Sequence, residues 1–243
     1  KIYFRPEYDL TYNCFIRRFK YPLFQTVVSN VFLQPHRNTI PTVQRDYPEW
    51  HRGRKKYALW YLEIEDTGLL NYLHDLRHAF SDVLFQPIHR QFHISLYICV
   101  FLTNQKNIKQ NDDFLRKQLQ RQLADLQQRP SSAFKLRVSQ IQSFESALML
   151  EIEDPSGKLI DLRHRLAEHA VEIAPLDYCA HITLGVYRAA YRYTDIYQRI
   201  AAIRQQTFEI EVNHLTFGCY QPHILQGPLF AEQHIQLDKP CYN

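Results

Sequence analysis

An internal repeat offset by 88 residues restricts this chain to a duplicated architecture, because two copies of one supersecondary unit must pack against each other to bury their apolar faces. The segment Ala58-Leu59-Trp60-Tyr61-Leu62-Glu63-Ile64-Glu65-Asp66 recurs, one residue shorter, as Ala147-Leu148-Met149-Leu150-Glu151-Ile152-Glu153-Asp154. Each copy leads into a helical stretch, Leu73–Phe80 in the first and Leu159–Leu166 in the second, and both stretches contain Asp-Leu-Arg-His. Each helix then leads into an apolar run with the same polar insertion, His93-Ile94-Ser95 and His181-Ile182-Thr183. Glu63 to Glu151 and His93 to His181 are both 88 residues apart, so the unit reads strand, helix, strand, with a histidine fixed in its last strand.

Between the units, the spacing of Phe114, Leu115, Leu119, Leu123 and Leu126 predicts a helix over 110–128 that ends before Pro130. Residues 134–144 alternate as a strand. After the second histidine, 193–206 reads as a helix, and a strand is expected from Phe208 to Phe217. The halves run from about 55 to 133 and from about 134 to 237. Residues 1–54 lie outside the repeat, and Pro6, Pro22, Pro35, Pro41 and Pro48 argue against long regular elements there. Aromatics such as Tyr3, Phe4, Tyr12, Phe15, Phe19, Tyr21, Phe24 and Phe32 argue for an extension packed on the domain of 55–243.

In an extended strand alternate side chains share a face, which groups His93, Ser95, Tyr97 and Cys99 on one strand and His181, Thr183, Gly185 and Tyr187 on the other. A histidine and a hydroxyl on an otherwise apolar strand need partners or a cleft, since burying such groups unpaired costs on the order of 1 to 3 kcal/mol each. One such pair is ordinary for a structural histidine. Two at matching repeat positions, related by a pseudo-twofold axis, would face one groove, and an imidazole with an ordinary pKa near 6.5 suits acid–base work.

Two H-x-[ST]-hydrophobic motifs about 80 to 90 residues apart, each closing a β-α-β half, resemble the two-histidine (2H) phosphoesterase superfamily over about residues 55–237. The resemblance implies an α+β, bilobal, duplicated β-α-β fold with antiparallel sheets, a pseudo-twofold axis and a central groove. It also implies a phosphodiesterase that needs no metal or cofactor and acts on RNA ends, cyclic phosphates or short oligonucleotides. Carried over by motif position, His93 and His181 are the general acid and base, and Ser95 and Thr183 hold the phosphoryl oxygens. Ser95 replaces the commoner Thr, keeping the donor but losing a methyl that restricts the rotamer. The RNA 3′-trimming phosphodiesterases and the bacterial 2′,5′-RNA-ligase-like enzymes are the branches it looks most like. Hydrolysis of a small signalling nucleotide and a catalytically silent RNA-binding module are the alternative readings.

Around the motifs, Tyr97, Tyr187 and Tyr178 are candidates to stack on a base or to pack, and Arg90 to reach a phosphate or to be solvated. Trp50-His51-Arg52-Gly53-Arg54-Lys55-Lys56 reads either as a strip that follows an RNA backbone or as a solvated charge run. His74 and His78 stand four apart on a helix but lack the Glu of H-E-x-x-H, so no metal site is assigned, and His214 and His223 receive no role. A net charge of +4 permits a polyanionic substrate such as RNA or a nucleotide without the excess of a nucleic-acid coat protein. Five cysteines, Cys14, Cys99, Cys179, Cys219 and Cys241, include no CxxC pair, which favours a reducing, cytoplasmic setting. No run reaches the roughly 18 apolar residues of a membrane span, and no protein partner is indicated, so a monomer is expected. The chain begins with Lys1 rather than Met, which leaves room for a segment upstream.

Overall fold

The computed structural model describes residues 32–105, 112–172 and 178–239. Within these, five helices and nine strands follow one another as α1 (Pro48–His51), β1 (Tyr57–Glu63), α2 (Thr67–Ala79), β2 (His93–Thr103), β3 (Asp113–Leu115), α3 (Arg116–Gln128), β4 (Phe134–Ser143), β5 (Ala147–Glu153), α4 (Lys158–Ala167), β6 (His181–Val186), α5 (Tyr193–Ala202), β7 (Phe208–Val212), β8 (His214–Tyr220) and β9 (Phe230–Gln236). The strands form one sheet in the order β7-β4-β5-β6-β2-β1-β8-β9, with the short β3 parallel to β2 and every other pairing antiparallel. That order sets the repeat strands β5-β6 and β2-β1 as mirror images about the β6–β2 seam, the pseudo-twofold arrangement expected of the duplicated α+β fold. One side, β7-β4-β5-β6, comes wholly from the second half of the chain, whereas the other joins β1 and β2 of the first half to β8 and β9 from the end of the second.

Two sequence expectations are revised. The strand expected over 208–217 breaks at Asn213, because β7 pairs with β4 on one side of the sheet and β8 with β1 on the other. The helix expected from 110 starts at Arg116, preceded by β3, and residues 110–111 lie outside the described residues.

Period-2 alternation separates the two faces. Trp60, Leu62, Ile94, Leu148, Leu150, Ile152, Ile182, Leu215 and Phe217 meet the apolar stripes of α2 (Leu69, Leu73, Leu76), α3 (Leu119, Leu126), α4 (Leu159, Leu162, Leu166) and α5 (Ile196, Ile200) in the main core. Asp66 caps α2 by accepting from the Leu69 amide, and Asp154 accepts from the Leu159 amide at the start of α4. The opposite face is covered at its flanks by the segment before β1. Trp50 packs on Tyr57 and Phe101 at ring distances of 5.3 and 5.2 Å, and Phe32 and Ile40 pack beside Phe144 and Met149. Backbone hydrogen bonds from Leu33 to Ser143 and from Thr42 to Tyr187 tie that segment down. The remaining aromatics of the expected extension, Tyr3 to Phe24, lie outside the described residues. Between the flanks the face is open, and there the groove forms.

Candidate active site

β2 and β6 meet at the single pair Ile94↔Ile182. Both isoleucines are fully buried on the helix side, so the flanking residues point to the groove side. Extending the antiparallel register by one residue sets His93 opposite Thr183 and Ser95 opposite His181. Residues directly opposite in such a pair have Cβ atoms about 4.5 to 5.5 Å apart, so two imidazoles and two hydroxyls form one compact quartet. All four line the same cavity.

The two rings are held alike. The Gln91 carbonyl lies 2.9 Å from His93 Nδ1, and the Cys179 carbonyl lies 2.8 Å from His181 Nδ1. A carbonyl can only accept, so in each ring Nδ1 carries a proton and Nε2 is left for chemistry. An aromatic ring stands edge-on to each, Tyr61 to His93 at 5.7 Å and Phe144 to His181 at 4.9 Å. Burial pulls the His93 pKa down to about 4, a fall opposed by the Gln91 carbonyl and reinforced by Arg90, His181 and Arg77. Burial lowers that of His181 as well, against the Cys179 carbonyl.

Beyond each hydroxyl the strand bulges. The partner of β1 changes from Ser95 at Tyr61 to Tyr97 at Trp60, leaving Leu96 as the extra residue. In β6, Thr183 opposes Met149 and Gly185 opposes Leu148, so Leu184 is extra at the equivalent place. One inserted residue reverses the alternation. Tyr97 and Tyr187, expected on the face of the histidines, therefore turn into the core. The Tyr97 hydroxyl donates to the Ala170 carbonyl, and the Tyr187 hydroxyl shares a 2.6 Å bond with Ser143. Neither lines the groove.

Each bulge frees a carbonyl that an arginine takes up, a buried one at Leu96 and a half-buried one at Leu184, and this pair was missed in the sequence. Arg163 donates to the Leu96 carbonyl at 2.6 Å, and Arg77 donates to the Leu184 carbonyl at 2.9 Å. They are the arginines of the two Asp-Leu-Arg-His segments, each serving the bulge in the other repeat's strand. Both line the cavity. Arg163 also forms an ion pair with Glu172 at 2.5 Å, both side chains at most 8 % exposed. Arg77 stacks its guanidinium over Phe92 at 3.8 Å and has no carboxylate partner among the described residues, and burial pulls its pKa down to about 10.

Tyr178 and Arg90 do line the groove. Tyr178 donates to the Ser95 carbonyl at 2.9 Å and lies under the Arg163 guanidinium at 3.9 Å. Arg90 donates to the Gly227 carbonyl and stacks over Tyr220 at 3.8 Å. The basic strip is largely spoken for: Trp50 is buried, Arg54 bonds Asp112 and Asp113, and Lys56 bonds Glu232. His74 packs edge-on against Phe92 at 5.1 Å. Among the described residues, Cys99, Cys179 and Cys219 are not in disulfides. Among the described residues, no helix is long and apolar enough to cross a membrane.

Of solved structures, LigT of E. coli in its apo form is similar in fold, with a TM-score of 0.51 at 10 % identity over 77 % of this chain and 100 % of that one. LigT of E. coli complexed with 3′-AMP (TM-score 0.47, 11 % identity, 75 % and 98 % covered) and TT0787 of Thermus thermophilus (0.46, 12 %, 75 % and 98 %) are also similar. No curated protein matches the chain. The model of the 2′-5′ RNA ligase superfamily matches residues 67–223, a span holding both histidine motifs and both arginines. The chain belongs to that superfamily, and so to the two-histidine phosphoesterases.

Proposed function

We propose that the protein is a phosphodiesterase of RNA ends, cyclic phosphates or short oligonucleotides that works by acid–base catalysis between His93 and His181. The observation that carries this reading is the paired setting of the rings: adjacent antiparallel strands, equivalent Nδ1 bonds to backbone carbonyls, and Nε2 left for the groove. One neutral imidazole takes a proton from water or a ribose 2′-hydroxyl as that oxygen attacks phosphorus. The other, as imidazolium, protonates the departing oxygen. Entry and exit lie on opposite sides of the phosphorus, as two rings related by a pseudo-twofold axis require. Ser95 and Thr183 donate to the non-bridging oxygens, and the Arg77 cation adds to the field that offsets their charge. Both proton transfers are supplied by imidazole, so no step calls on a metal.

The test is turnover of 2′,3′-cyclic nucleotides and of 2′,5′- and 3′,5′-linked oligonucleotides in the presence of EDTA, by wild type, His93→Ala and His181→Ala. Each substitution is expected to lower kcat by roughly 10² to 10⁴-fold. Full activity in either variant overturns the mechanism. Tight binding of the oligonucleotides without turnover of any substrate identifies a binding module instead.

A further inference from the structure

One strand outward from His93, the groove face carries a second constellation of ligating side chains. Glu63 of β1 is the register partner of His93. The β1–β8 register, which pairs Tyr61 with Thr216, places His214 beside Glu63, and β8–β9 pairs Thr216 with His234. Glu63, His214 and His234 thus come from three consecutive strands and offer ligand atoms that all lie within 4.8 Å of one another.

We propose that Glu63, His214 and His234 form a binding site for one zinc-class divalent cation, separate from the catalytic quartet. Two imidazoles and a carboxylate are a donor set for Zn²⁺, Co²⁺ or Ni²⁺ rather than for the hard, oxygen-seeking Mg²⁺ or Ca²⁺. A tetrahedral ion with bonds of about 2.0 to 2.2 Å keeps its donors roughly 3.4 Å apart, so small side-chain rotations close the trio around it.

Two outer contacts are those that orient metal ligands. The fully buried Thr216 places its hydroxyl 3.1 Å from His234 Nδ1, which leaves Nε2 for an ion. The Tyr61 side chain, two residues before Glu63 on the same face of β1, lies beside the Glu63 carboxylate. The approach is acidic: a cavity lined by Glu63, Glu65, Asp66, Glu209, Glu211 and His214 opens beside the trio, with Lys135 paired to Glu209. Glu63 itself has no ion pair with a basic side chain among the described residues. A second cluster, Asp125, Glu168 and His169, differs on this point, because Arg129 and Arg165 already hold Asp125. The other side of the sheet has no such trio: beside Glu151, the repeat counterpart of Glu63, neither β4 nor β7 contains a histidine.

Three protein ligands leave a coordination position open. The site would also clip the strands β1, β8 and β9 together and fix Glu63 beside His93. The test is titration of the untagged full chain with Co²⁺, followed by its d–d absorption, and with Zn²⁺, followed by calorimetry and thermal melting. One ion per chain is expected, with a raised Tm on zinc addition and no displacement by millimolar Mg²⁺. The exposed His234→Asn is expected to weaken binding by roughly tenfold or more, and His214→Asn/His234→Asn to abolish both the binding and the Tm rise. Unchanged stoichiometry and affinity in the double variant, absence of micromolar binding in wild type, or displacement by Mg²⁺ would each overturn the site. Because the catalytic test is run in EDTA, failure here and failure of the two-histidine mechanism are read separately.

Discussion

The two sides of the sheet carry the same groove-lining parts in unlike electrical settings. Each has a histidine held through Nδ1, an edge-on ring, a hydroxyl, a bulged leucine and an arginine on the bulge carbonyl. In-line displacement at phosphorus needs a proton taken on one side and given on the other, which accounts for the parts that match. The arginines do not match. Arg163 is neutralised by Glu172, whose carboxylate also accepts from the Ile98 amide, whereas Arg77 has an aromatic face for company. The geometry around the two histidines matches, and the charge around them differs so that excess positive charge lies with Arg77.

The contrast is broken most strongly at the arginines. Arg163→Met strands a buried carboxylate and is expected to cost about 3 to 5 kcal/mol in denaturant unfolding. Arg77→Met strands only a carbonyl, so its expected cost is about 1 to 3 kcal/mol, accompanied by a rise in KM for anionic substrates. Equal losses of stability would show that Glu172 does not set the two sides apart. Next come the hydroxyls: under the proposed mechanism Ser95→Ala and Thr183→Ala each remove a donor to a charged oxygen, worth about 1.5 to 3 kcal/mol, or roughly 10 to 100-fold in kcat/KM. Similar losses are expected if the sides act as equals on the phosphoryl group, and kinetics of the two single variants decide it.

The smallest expected effect is on pH. The folded state holds His93 neutral down to about pH 4, while the unfolded chain takes up a proton near 6.5. Stability is then full above about pH 6.5 and declines as pH falls toward about 4, by on the order of 1 kcal/mol after screening by groove water. Unfolding of His93→Gln across that window is expected to show a shallower acid slope than wild type. An unchanged slope would place the titration on other groups.

The strand–helix–strand repeat and its paired histidines were legible because alternation, helical spacing and a fixed offset are all local patterns. The face of Tyr97 and Tyr187 was not, because a bulge at Leu96 and Leu184 inserts one residue without any compositional mark and inverts everything after it. The arginines stood in plain view within Asp-Leu-Arg-His, yet their role depends on carbonyls 67 and 107 residues away. His214 looked solitary since its companions belong to two other strands, and the break at Asn213 follows from a choice of pairing partner that local alternation does not encode.

The strands of the two sides pair at one register position, Ile94↔Ile182, between His93 and His181. Three side-chain hydrogen bonds span that seam as well, from Arg77 to the Leu184 carbonyl, from Arg163 to the Leu96 carbonyl and from Tyr178 to the Ser95 carbonyl. The spacing of the two imidazoles is therefore braced by side chains from two helices and from the segment before β6 as much as by the strand ladder.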